Sequence, residues 1–203
     1  MAVHHPDAPA FVRLDTGESL SFAEWEARAN RLARGLRTLG VEPGDRVAIL
    51  LGAEHALEWI TAYVAVHKLG AVAVPTNTRL SADELATVLG HAEPAVVLSA
   101  PSNRAPLDDA ADRLPSLHHV LELDGAGIHA VLHDDDSHLQ AAIDDDTLAD
   151  IMYTSGTTGV PKGIAVRHGN LSIIPNNEPE WSCSAWIHAS PLFTFAGISF
   201  VYN

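Results

Sequence analysis

Eleven residues in this chain carry the side chains best suited to chemistry. The run Tyr153-Thr154-Ser155-Gly156-Thr157-Thr158-Gly159-Val160-Pro161-Lys162-Gly163 holds three glycines, four aliphatic hydroxyls and one lysine. Glycines let successive backbone N–H groups turn toward one point, which makes a nest for an anion. Thr154, Ser155, Thr157 and Thr158 add rotatable O–H donors. Lys162 adds a point charge of the kind that pairs with phosphate. Pro161 fixes its own backbone and limits how the lysine is presented. The chemistry implied is the grip of a polyanion. A Walker A loop is excluded, since that motif places Ser or Thr after Gly-Lys at the start of a helix. Here the lysine follows Pro161 and precedes Gly163.

Other candidate groups are weaker. Cys183 is the only cysteine, so no internal disulfide forms, and it reads as a small buried hydrophobe. The histidines lack metal-ligand spacing: His4-His5 and His118-His119 are adjacent pairs, and no His-Glu-x-x-His occurs. Asp134-Asp135-Asp136 and Asp144-Asp145-Asp146, with His133 and His138, suggest a metal site only superficially. Consecutive carboxylates repel, so these runs read as solvated loop. No metal ligand is assigned.

The elements that position the run follow from periodicity. Leu148–Met152 reads as a strand leading in, and Ile164–Arg167 as a strand leading out, with Ser155–Lys162 an exposed loop between them. Upstream, Ala10–Leu14 reads as a short strand turned by Asp15-Thr16-Gly17. Ser21-Phe22-Ala23-Glu24 and Ser81-Ala82-Asp83-Glu84 are capping boxes that open two helices, the first running to Gly40 and the second to about Gly90. A helix from Glu54 to Lys68, ended by Gly70, lies between them. Strands are expected at Arg46–Leu51, Ala71–Val74, Ala95–Ser99 and His118–Leu123, with Pro75 stopping the second. Leu107–Leu114 suggests a short helix, His168 starts another that Pro175 interrupts, and Ala185–Ala189 reads as a strand. Strand–helix alternation of this kind predicts an α/β fold, with a mainly parallel sheet flanked by helices.

The eleven-residue run resembles, at every position, the phosphate-binding signature of the adenylate-forming (AMP-binding) superfamily. Three further stretches are similar to the same superfamily. These are Asn30 to Ala48, His168-Gly169-Asn170-Leu171, and Ser190-Pro191-Leu192-Phe193-Thr194-Phe195-Ala196-Gly197. The last resembles a motif that lines the acyl pocket, so Phe193, Thr194, Phe195 and Gly197 become candidate pocket residues by resemblance. Acyl-CoA synthetases often have histidine where this chain has Thr194. The resemblance implies the first part of the large N-terminal domain of such enzymes, spanning 1–203. It implies ATP, magnesium and coenzyme A as cosubstrates and cofactor, with a small carboxylic acid as substrate. Thr154, Ser155, Gly156, Thr157, Thr158, Gly159 and Lys162 would then hold the β- and γ-phosphates, with Lys162 the catalytic candidate. Activation of a fatty or similar acid as acyl-adenylate, followed by transfer to coenzyme A, is the expected activity. An amino-acid or aryl-acid adenylation domain, an acyl-AMP ligase, and a non-catalytic fragment with weak phosphate binding remain open. The adenine-binding strand, the ribose-holding aspartate, the hinge and the small C-terminal domain of that superfamily have no counterpart in these residues.

Bulk properties fit this reading. The 203 residues are 47% hydrophobic and 19% charged, which are globular values. A net charge of −14 argues against nonspecific nucleic-acid binding. The start lacks the basic and apolar regions of a signal peptide, and the apolar stretch from Val47 to Val74 is interrupted by Glu54, His55, Glu58, His67 and Lys68. A cytoplasmic protein without a membrane span is expected. The end, Gly197 to Asn203, is apolar and reads as cut, and the apolar stretch from Trp186 to Val201 is expected to favour self-association.

Overall fold

The structure, a computed structural model, describes residues 2–123, 131–154, 161–171, 187–198 and 201. Two short strands open the chain: β1 (Pro9–Val12) and β2 (Ser19–Ser21), antiparallel to each other. Helix α1 (Phe22–Thr38) follows, and its N-terminus carries the expected capping box. The Ser21 hydroxyl accepts from the Glu24 N–H at 3.2 Å, and the Glu24 carboxylate accepts from the Ser21 N–H at 2.9 Å. Gly40, at φ 88°, ends the helix in a left-handed turn, with the Val41 N–H reaching back to the Leu36 carbonyl.

Then come β3 (Arg46–Leu50), α2 (Ala56–Lys68, preceded by a 3-10 turn at Ala53–His55) and β4 (Val72–Pro75). Next are α3 (Ala82–Ala92), β5 (Val96–Ser99), α4 (Arg104–Ala111) and β6 (His119–Glu122). The signature run is flanked by β7 (Leu148–Thr154) and β8 (Lys162–Arg167), and helical turns form at His168–Leu171 and Phe195–Ile198.

One sheet of six strands, in the order β6-β5-β3-β4-β7-β8, organises the molecule. The first five run parallel and β8 returns antiparallel along β7. The expected mainly parallel α/β sheet is therefore present, with boundaries shifted by a residue or two. Pro75 does not stop β4 but pairs with Ile49 as its last residue.

β3 shows why its run is continuously apolar: both of its faces are covered. Val47 and Ile49 face the α1/α2 layer, where they meet Leu32, Leu36, Trp59 and Tyr63. Ala48 and Leu50 face the α3/α4 layer, where they meet Leu85, Leu89 and Leu107. All of these lie at 0–1% exposure, as expected for a parallel strand sandwiched between helices.

The two acidic runs, Asp134–Asp136 and Asp144–Asp146, are exposed and outside helix and strand, as expected of solvated loop. What the sequence does not show is that residues 131–143 form a strap whose backbone docks across α1 and α2. Arg34 pairs with Asp135 at 3.0 Å and donates to the Ser137 carbonyl and hydroxyl at 2.8 and 2.7 Å. Asn30 donates to the Asp136 carbonyl, Arg31 to the His133 carbonyl, and the Ala141 N–H donates to the Lys68 carbonyl. The strap needs Gly35, because a Cβ there would fall 1.8 Å from the Val131 carbonyl oxygen. Asp144 is likewise engaged: Thr147 donates to it at 2.7 Å, and this bond with backbone donors holds its carboxyl below the usual range.

Candidate functional site

The site is built on the β7–β8 hairpin. Its register pairs Tyr153 with Gly163 and Thr154 with Lys162. Both side chains of the last pair are exposed, at the mouth of the hairpin. Lys162 is therefore a strand residue, not part of the connecting loop as the sequence suggests. Opposite residues in an antiparallel pair hold their Cβ atoms roughly 5 Å apart, so Thr154 and Lys162 present a hydroxyl and an ammonium side by side. Thr154 also stands at the carboxyl end of β7, which runs parallel with β4 and so points the way β3 and β5 point. Ligands of open α/β sheets bind outside that end of the strands. Ser155, Gly156, Thr157, Thr158 and Gly159 lie outside the described residues, as does Cys183.

The electrostatics favour an anion at the mouth. The chain has two lysines, Lys68 and Lys162. Lys68 is buried and pairs with Glu26 at 2.8 Å. Lys162 is exposed at the hairpin mouth and forms no ion pair with another described residue.

Two polar clusters hold β7 from opposite faces, and neither is evident in the sequence pattern. On the α2 side, Asp150 is fully buried; the Tyr63 hydroxyl donates to it at 2.9 Å and His67 Nε2 approaches at 3.2 Å. The ring of His168 stands edge-on to His67 at 5.0 Å. Burial pushes the His168 imidazole below its ordinary value, and the neighbouring His67 adds to this against a smaller opposing pull from Asp150. Its Nε2 is buried and has no hydrogen-bond partner among the described residues. The adjoining cleft, lined by Trp25, Glu26, His67, Lys68, Ile143 and His168, measures about 250 Å³. On the α3 side, the Tyr153 hydroxyl lies 2.6 Å from His91 Nδ1, and burial pushes the phenol up to about 12. The one local hint of all this is Asp150 itself, a charged residue inside an apolar strand.

The candidate acyl-pocket residues are placed differently from one another. The Thr194 hydroxyl donates to the Pro191 carbonyl at 2.7 Å and accepts from the Gly197 N–H at 3.1 Å, so it closes the turn into Phe195–Ile198. Gly197 is buried where a Cβ would meet the Pro191 carbonyl oxygen at 2.1 Å, which accounts for the glycine by close approach. Phe193 is half-buried, and Phe195 is 50% exposed rather than packed in the core. Ile187–Ala189, the described part of the strand expected at Ala185–Ala189, forms no strand, and Pro175 lies outside the described residues.

Comparison with known proteins gives this geometry a family. The family model of the AMP-binding enzymes matches residues 1–203. The chain is 39% identical over 168 residues to feruloyl-CoA synthase of Amycolatopsis sp, covering 82% of this chain and 30% of that protein. It is 39% identical over 166 residues to a long-chain-fatty-acid–CoA ligase of Thermus thermophilus, covering 78% of this chain and 30% of the relative. The chain thus spans about a third of the length of these curated relatives. Among solved structures, the inhibitor-bound N-terminal domain of FACL13 from Mycobacterium tuberculosis superposes with a TM-score of 0.80 at 28% identity, covering 98% of this chain and 51% of that one. The o-succinylbenzoate–CoA synthetase of Bacillus subtilis, solved with its acyl-adenylate intermediate, gives 0.78 at 27% identity, covering 99% and 50%. With the family model matching all of residues 1–203, including the run carried on the β7–β8 hairpin at the carboxyl end of the parallel strands, this chain belongs to the AMP-binding enzyme family.

Proposed function

We propose that these residues form the first part of the N-terminal domain of an acid–thiol ligase, and that their task is to grip the phosphates of ATP. The carrying observation is the Thr154–Lys162 pair at the mouth of the hairpin, exposed and facing the carboxyl end of the sheet. Thr154, Ser155, Gly156, Thr157, Thr158, Gly159 and Lys162 would hold the β- and γ-phosphates. In the first step a carboxylate oxygen of the acid attacks the α-phosphorus. The new O–P bond gives acyl-adenylate, and the bond to the β-phosphate oxygen breaks to release pyrophosphate. In the second step the sulfur of coenzyme A attacks the acyl carbon, its proton passes to solvent, and AMP leaves. Aligned donors lower the first barrier by orienting pyrophosphate and balancing its developing charge.

Among the described residues, no group of three His, Cys, Asp or Glu could hold a metal ion. The relatives named as long-chain-fatty-acid and feruloyl-CoA ligases support an apolar or aryl acid as substrate and coenzyme A as acceptor. A linear gramicidin synthase of Brevibacillus parabrevis, 33% identical over 167 residues, supports the second reading, an amino-acid adenylation domain. A cytoplasmic setting belongs to the same proposal and is supported by the single cysteine.

The test is Lys162→Ala in an enzyme of full family length carrying this segment, with each half-reaction followed in a single turnover. Lys162 would touch phosphates that leave in the first step. Adenylate formation should therefore slow by about 2 kcal/mol, roughly thirtyfold, the low end for a charged contact at an exposed site. Thioester formation from preformed adenylate should stay within about twofold. Equal slowing of both steps would refute the assignment. ATP–pyrophosphate exchange with fatty, aryl and amino acids decides between the two substrate readings.

A further inference from the structure

We infer that His91 is a positioning residue for the nucleotide-phosphate grip: by latching Tyr153 to α3, it fixes the hairpin mouth at which Thr154 and Lys162 stand. The inference rests on the phosphate-grip reading given above.

Three observations meet at one point. The Tyr153 hydroxyl and His91 Nδ1 are 2.6 Å apart, and the two rings stand edge to face with centroids at 5.7 Å. Tyr153 immediately precedes Thr154 and pairs across the hairpin with Gly163, the neighbour of Lys162. Gly163 lies directly under the latch: a Cβ there would stand 3.3 Å from His91 Cε1, 3.3 Å from Tyr153 Cζ and 3.2 Å from Ile151 Cγ2. The last glycine of the signature thus packs closely against the latch.

The latch is needed because of where it sits. β8 is paired on one side only among the described strands, and residues 162–165 are exposed. Its position depends on β7, and the α2-side anchor at Asp150 lies four residues short of Thr154. The contact nearest the mouth on the α3 side is His91–Tyr153. Burial that raises the phenol keeps it protonated, so the hydroxyl remains a donor throughout the physiological range. His91 itself is exposed and sits in the last turn of α3, so replacing it removes the latch without opening the core.

Amide hydrogen exchange and ATP titration by NMR, on the 203-residue chain, test the idea with His91→Ala, Tyr153→Phe and the double variant. Each single variant should speed exchange at Met152–Thr154 and Lys162–Ile164 by about fivefold, the scale of one exposed hydrogen bond. The double variant should be no faster than either single, because one bond is lost in all three. Affinity for ATP with magnesium should fall by about three- to tenfold in each, on the same scale. Gly163→Ala should speed exchange in the parent chain, and less beside His91→Ala, where one of the three close contacts to its Cβ has been removed. Lys162→Ala is the control for the underlying reading. Unchanged exchange in the single variants would overturn the latch. Faster exchange with unchanged affinity, while Lys162→Ala loses affinity, would overturn its role in positioning the grip. If Lys162→Ala also keeps affinity, the phosphate-grip reading falls and the positioning role falls with it, while faster exchange would still establish the latch as a structural contact.

Discussion

Tyr63→Phe removes one oxygen atom from the core and leaves the packing otherwise intact. The ring of Tyr63 is fully buried and stacked on Trp59, with centroids 5.0 Å apart, and phenylalanine keeps that contact. The loss includes the 2.9 Å bond to the Asp150 carboxyl, which has no exposure to water. His67 Nε2 lies 3.2 Å from the other carboxyl oxygen, Oδ1, and does not replace the missing donor. Removing one partner from a buried carboxyl oxygen costs more than the bond itself, since the oxygen is left without solvent or donor. The scale is about 2–3 kcal/mol. For a chain of this size each kcal/mol lowers Tm by roughly 2–4 °C, so a fall of roughly 4–12 °C is expected. Urea unfolding followed by circular dichroism should show a lower midpoint with an unchanged slope, because the surface exposed on unfolding is the same. A cycle with Asp150→Ala should show coupling of at least about 1 kcal/mol. A loss below about 0.5 kcal/mol, or no coupling, would refute the claim that this bond secures the centre of β7.

Further outcomes follow from other contacts. Gly35→Ala should cost about 1–3 kcal/mol by overpacking, since its Cβ would meet the Val131 carbonyl oxygen at 1.8 Å; limited proteolysis within residues 131–143 should quicken as the strap lifts. Ser21→Ala and Ser81→Ala should each cost about 1 kcal/mol in denaturant unfolding and add when combined, because the two capping boxes stand at the starts of different helices. Acidification should begin to destabilise the chain below about pH 6.5. His168, lowered chiefly by burial, stays neutral in the folded state while the unfolded chain takes up a proton, so its contribution is present above the unfolded value and lost as pH falls. His168→Gln should flatten that part of the profile in pH-dependent melting curves; an unchanged profile would show that another group is responsible.

The sequence by itself determined the parts of this protein whose causes are local. Each capping box closes within three residues, so Ser21–Glu24 and Ser81–Glu84 could be read directly, and both form. The apolar runs of β3, β4 and β5, separated by helical periodicity, declared a sheet covered on both faces. The eleven-residue run carried, in its order, the resemblance to the family whose model matches the chain. Tertiary structure decided what depends on distant partners. It turned Lys162 from a loop residue into the strand partner of Thr154, a matter of hairpin register that no local propensity encodes. It brought Tyr63 to Asp150 across 87 residues and His91 to Tyr153 across 62. It also docked the backbone of an acidic segment whose side chains stay in solvent, because Arg31, Arg34 and Asn30 stand on one face of α1, about 100 residues away along the chain, with donors aimed at that backbone. A side chain's neighbours along the chain set its local conformation. Which donor meets a buried carboxyl, or which arginine meets an acidic run, is fixed only when helices and strands pack, since burial leaves each polar group few places to find a partner.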